Sequence, residues 1–166
     1  MTNAPDADKR GQFQTERRFA RRWALQFLYQ VDQQDDWGVI DRKLGHLRAQ
    51  VLEFEEDAPT DKAFDRTWCY VETLVRGVCE HRAEIDDAIG AAATNWTMDR
   101  MGVIDRGILR LATYELMFED KVPGAAAINE AVELAKIYGD VDTSRFVNGV
   151  LDRIFRSLQP AEDETE

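Results

Sequence analysis

Residues 14–33 read QTERRFARRWALQFLYQVDQ, and this stretch decides the fold class. Ala20, Trp23, Ala24, Phe27, Leu28 and Val31 recur at steps of three and four, the period of one apolar helix face. At about 100° per residue, Arg17, Arg18, Arg21 and Arg22 fan over a neighbouring arc of about 140°. Tyr29 falls within that arc two turns further on. One side of this helix is expected in a core, with a basic edge ending in an aromatic ring left outside.

The same period extends in the C-terminal direction. A shorter amphipathic helix is expected over 38–52, carrying Val39, Ile40, Leu44, Leu47 and Val51. Residues 53–61 (EFEEDAPTD) form an acidic linker ending at Pro59 and Thr60. A long helix is expected over 61–93, with Phe64, Trp68, Val71, Val75, Val78, Ile85 and Ile89 on its stripe and Arg82 at the skipped position. Residues 98–118 are apolar on most sides and predict a central helix, with Gly102 and Gly107 read as points of close helix approach. A further helix runs from Pro123 to Tyr138, with Gly139 just past its end. Asp142 or Thr143 caps the last one, which buries Phe146, Val147, Val150, Leu151 and Ile154. No segment alternates with period two. The expected architecture is an all-α, compact bundle of about six or seven helices. Residues 1–12 and 159–166 read as loose tails around one domain over 13–158.

Composition narrows the function classes. The chain has 166 residues, a net charge of −11, and two cysteines, Cys69 and Cys79, too few for a disulfide scaffold or a four-thiolate zinc site. No apolar run approaches the roughly 20 residues of a membrane span and no secretory leader is evident, so a cytoplasmic protein is expected. The charge is uneven. Residues 1–22 hold six basic groups against Asp6, Asp8 and Glu16, while the remaining 144 carry a net −14. One basic contact surface on an acidic body is the expectation. The only histidines, His46 and His81, have no ligand-spaced partner, and no phosphate loop or nucleophile elbow occurs. We therefore expect no enzyme activity, no cofactor and no metal site.

Two places remain for binding chemistry. The arginine edge is either a solvated face salt-bridged to the acidic body or a phosphate track, because guanidinium binds phosphate bidentately and stacks on bases. Tyr29 on the same arc is either a core-edge residue or a stacking surface for an unpaired base. The second place is the start of the last helix, where Arg145 and Phe146 lie in a first turn whose backbone N–H groups favour anions. Periodicity alone makes Phe146 core and Arg145 a surface charge. Asn148 and Gly149 inside that helix suggest a close backbone contact.

Four blocks in order, RRFARRWALQFLY (17–29), MGVIDRGILRLATYEL (101–116), AINEAVELAKIYG (127–139) and RFVNGVLD (145–152), resemble the NusB family of transcription antitermination factors. The resemblance spans about 13–157 and is weakest over 34–66, where this chain has its own acidic stretch containing Trp37. It implies two helical subdomains. It implies a protein that binds the single-stranded boxA element of ribosomal RNA leader transcripts together with NusE, the small-subunit ribosomal protein, and joins the RNA polymerase elongation complex. By the same analogy Arg17, Arg18 and Arg21 contact RNA, with Arg22 making the edge denser than expected of the family. Arg145 and Phe146 match positions near the RNA path, and Asp99 and Asp105 match acids near the NusE surface. The resemblance leaves monomer and homodimer both open.

Physical chemistry agrees with this expectation: a few arginines on an acidic body bind RNA weakly alone, and a basic ribosomal protein on the acidic face would couple favourably with the RNA. Two rivals stand beside it. A similar domain begins some ribosomal RNA cytosine methyltransferases, which need a large further domain. The other is a structural protein–protein adaptor that uses the basic edge without RNA.

Overall fold

The structure, a computed structural model, describes residues 4–161. Among them are seven α-helices and no strand: α1 (Ala4–Gln33), α2 (Ile40–Phe54), α3 (Asp61–Glu80), α4 (Arg82–Ala92), α5 (Val103–Phe118), α6 (Gly124–Tyr138) and α7 (Thr143–Leu158), with a 3-10 turn at Met98–Arg100. They gather into two compact units, one ending at Glu80 and one starting at His81.

The first unit packs α1, α2 and α3 around the predicted stripe. Trp23, Phe27, Leu28 and Val31 are buried with Leu44, Leu47 and Val51 of α2 and Phe64, Trp68, Val71 and Leu74 of α3. Its centre is aromatic: the Trp23 ring lies 5.9 Å from Phe64 and 6.4 Å from Trp68, and the last two stack at 6.2 Å. Rings this close add to their area burial, by about 0.5–1.5 kcal/mol per pair. The second unit packs α4 to α7 around Ile85, Ile89, Ile108, Leu109, Ala131, Ala135, Val147 and Leu151. Inside it the buried Arg110 guanidinium donates to both oxygens of Asp86, at 2.8 and 3.1 Å, so the charge enters the core already paired.

Four departures from the sequence reading have physical reasons. The stretch 1–12 is not a loose tail where it is described: it is helical from Ala4 on. An apolar stripe is absent there, but a helix already nucleated by its buried half propagates at little cost through residues such as Lys9, Arg10 and Gln12. Most of the other expected tail, 162–166, lies outside the described residues. The helix expected over 61–93 is two helices, because the backbone at His81 leaves helical geometry (φ −105°, ψ 19°) at the point where the stripe skips. The segment 98–118 likewise begins as a 3-10 turn, and Gly102 precedes α5 instead of lying within it. A Cβ at Gly102 would meet only the Asp105 carboxyl at 3.7 Å, so no close helix approach explains that glycine.

Gly139 and Gly149 reverse their expected roles. Gly139 ends α6 in extended backbone (φ −94°, ψ −179°), which any residue adopts. Space is what it lacks: a Cβ there would stand 2.5 Å from the Thr143 methyl and 2.8 Å from the Ala135 carbonyl oxygen. Gly149 was expected at a close contact, yet a Cβ there meets nothing within 4 Å.

Candidate nucleic-acid interface

The arginines of α1 divide into two rows. Arg17 and Arg21 turn toward α3. The Arg17 guanidinium carbon lies 3.4 Å above the Tyr70 ring and 4.8 Å from the Phe13 ring, and that of Arg21 lies 6.0 Å from Tyr70. Arg21 is only 7% exposed, which corrects the expectation that it stands on an outer edge. Arg17 Nη1 is buried with no hydrogen-bond partner among the described residues, so π-faces supply most of its compensation. The physical reason is the burial of Tyr70: its ring presents an electron-rich face toward α1, and a guanidinium is weakly hydrated enough to cover it.

Arg18, Arg22 and Tyr29 form the outer row. Their spacing of i, i+4 and i+11 confines them to about 40° of α1 and spreads them over about 16 Å along it. Arg18 is exposed, and Arg22 and Tyr29 are half-buried. Arg22 donates to Glu55 Oε2 at 2.7 Å, so an acid from the end of α2 occupies one cation of the row. Arg10, exposed on the early part of α1, falls on the same basic arc as Arg17. A groove of about 500 Å³ between α1 and α3 is lined by Lys9, Phe13, Arg17, Arg66 and Tyr70, among others. Glu16 holds Arg66 there through two hydrogen bonds of 2.7 and 3.3 Å.

In the second unit Arg145 is exposed in the first turn of α7, and Phe146 is half-buried beside Trp96, ring centroids 6.3 Å apart and edge to face at 68°. The start of α7 is not a bare anion site. Thr143 Oγ1 accepts from the Asp140 N–H at 3.0 Å and donates to Asp105 Oδ1 at 3.2 Å, and Asp140 and Asp142 stand exposed beside it. The two acids expected on a partner surface differ. Asp99 is exposed, and hydrogen bonding from the Thr97 side chain holds its carboxyl below the usual range. Asp105 is half-buried, and that burial pushes its carboxyl up, against the lowering effect of the Thr143 hydroxyl.

Residues 18–156 match the model of the NusB family. The chain belongs to the NusB family. It is 44% identical over 138 residues to the transcription antitermination protein NusB of Trichlorobacter lovleyi, covering 83% of this chain and 89% of that one. It is 40% identical over 145 residues to the NusB of Bacillus velezensis, covering 86% and 98%. Among solved structures it is similar to a NusB of T. maritima, with TM-score 0.69 and 37% identity over 87% of this chain and 93% of the other. It is also similar to a chain in a crystal structure of antitermination factors NusB and NusE in complex with dsRNA, with TM-score 0.68 and 30% identity over 86% and 98%.

Among the described residues, no group of His, Cys, Asp or Glu could hold a metal ion, and no helix is long and apolar enough to cross a membrane. Sequence reasoning missed three residues that the structure places beside the candidate side chains, two in the first unit and one in the second. Tyr70 lies off the apolar stripe of α3, and the arginines it faces, Arg17 and Arg21, are about fifty residues away in sequence. Glu55 lay in a stretch read only as an acidic linker. Trp96 lies in the short polar connection between the helices expected over 61–93 and 98–118, where a tryptophan is a signal in itself.

Proposed function

We propose that this protein is an RNA-binding transcription antitermination factor that binds boxA RNA of ribosomal leader transcripts together with NusE and joins elongating RNA polymerase in the cytoplasm. The observation that carries the reading is the match of nearly the whole chain to NusB relatives. Local geometry supports a division of labour. Arg18 and Arg22 hold phosphates from the outer row of α1, and Tyr29 offers a ring on the same line. Arg17 and Arg21 act from behind, fixing Tyr70 and the course of α1. On the second unit, Arg145 supplies a phosphate contact and Phe146 a stacking edge. The acidic remainder repels non-specific nucleic acid and attracts a basic partner, with Asp99 on the NusE side and Asp105 bracing the start of α7 behind it.

Fluorescence anisotropy with a single-stranded boxA RNA, with and without NusE and across a salt series, tests this reading. The expected result is binding that NusE strengthens, with a log–log salt slope that falls by about 1.4 when Arg18 and Arg22 are both replaced by Ala, about 0.7 for each phosphate released. An unchanged slope removes the outer row from the site. Absence of RNA binding in either condition favours the protein–protein adaptor, and equal binding of duplex RNA overturns the single-strand assignment.

A further inference from the structure

The Trp96 indole is 51% exposed, on a backbone that is fixed from both sides. The Trp96 backbone N–H donates to the Ala93 carbonyl at 3.1 Å. The Ala92 carbonyl, at the end of α4, accepts from Arg153 Nη1 of α7 at 2.8 Å. After Trp96 comes the Met98–Arg100 turn, and Arg106 Nη1 ties it down by donating to the Met101 carbonyl at 2.9 Å and the Met98 carbonyl at 3.4 Å. The Thr97 side chain bonds Asp99. What sets Trp96 apart from the other exposed apolar side chains is this firm mount together with an aromatic neighbour, which leaves a flat ring half in water and already oriented. Its one described ring contact is edge-to-face with Phe146, so the Phe146 contact leaves most of the indole surface open.

Arg145, next to Phe146 in sequence, and Arg100, at the end of the 3-10 turn, are exposed cations close in the chain to the two rings, and the exposed acids Asp99, Asp140 and Asp142 lie close in the chain as well, so the rings and not the net charge point to the ligand. Aromatic rings beside guanidinium groups suit a flat, π-faced ligand that carries negative charge, which describes an unpaired nucleotide. We propose that Trp96 is a stacking residue of the RNA site, holding an unpaired base against its indole while Phe146 buttresses the ring edge. This rests on the RNA-binding reading given above. A rigid mount matters because the ring's freedom is already lost before the base arrives, so less affinity is spent on ordering it.

The test uses the full chain and boxA RNA in the presence of NusE. Trp96→Leu keeps an apolar contact for Phe146 but cannot stack, and should weaken RNA binding roughly tenfold. Trp96→Phe restores a π-face and should stay within about threefold of wild type. Trp23 and Trp68 are buried and Trp37 is half-buried, so the emission is read in a Trp37→Phe background, where RNA should quench mainly Trp96 and a further Trp96→Phe should abolish most of that quenching. An RNA with one abasic nucleotide should erase the difference between wild type and Trp96→Leu. Equal thermal midpoints for the variants show that the fold is intact. Wild-type RNA binding with undiminished binding by Trp96→Leu overturns the Trp96 inference alone, as does loss of NusE binding by Trp96→Leu without RNA. Absence of RNA binding by the wild type overturns both readings.

Discussion

Arg17 and Arg21 share one helix with Arg18 and Arg22, one residue away in each case, yet the two pairs have different physical lives. The first pair covers an aromatic ring, with Arg21 almost closed to water. The second pair faces outward, one member exposed and the other engaged by Glu55. The acids of the second unit repeat the contrast, with Asp99 exposed and Asp105 half-buried under Thr143. An ionised side chain facing inward acts on stability, and one facing outward acts on association.

The contrast breaks most readily at Arg21. Replacing it with Ala should lower unfolding free energy by about 2 kcal/mol in a urea titration, since a desolvated guanidinium over a ring is lost and Tyr70 is uncovered. Arg18→Ala should leave stability within about 0.5 kcal/mol and instead weaken RNA binding at low salt several-fold. If Arg21→Ala proves as stable as wild type, or Arg18→Ala unfolds easily, the two rows do not differ as argued.

Glu55→Gln sharpens the comparison within the outer row. It should release Arg22 and tighten RNA binding about two- to threefold, while costing under about 1 kcal/mol because the pair is partly solvated. Tighter binding that vanishes in an Arg22→Ala background would show that the effect passes through that arginine.

The smallest effect concerns Asp105. Burial raises its carboxyl above the ordinary range in the fold, so the folded state prefers the protonated form. That preference favours folding below the ordinary carboxylate range and is lost as pH rises through the raised value. Asp105→Asn keeps an acceptor for the Thr143 hydroxyl and should therefore melt above wild type near neutral pH. The advantage should fade below about pH 4. An advantage independent of pH would mean that charge is not its cause.

Apolar periodicity was enough to read the helices, because each of the long stripes from Ala20 to Ile154 does become a buried face. It did not reveal the interruptions at His81 and Gly102, where the chain changes course without a proline or an obvious turn signal. The helical wheel likewise treats every arginine on an arc alike. Whether one turns inward depends on what the opposite helix offers, and Tyr70 lies more than forty residues away. Trp96 shows the same gap from the other side: its turn reads as polar connection until Phe146, fifty residues on, is seen beside it.

The crowding at Gly139 bears on how this molecule can be altered. A methyl group there collides with a backbone oxygen as well as with the threonine that joins Asp140 to Asp105. A library randomised at positions 139 and 149 should thus return almost only glycine at the first and accept alanine freely at the second. The same residue type marks a closed door at one position and an unused vacancy ten residues later.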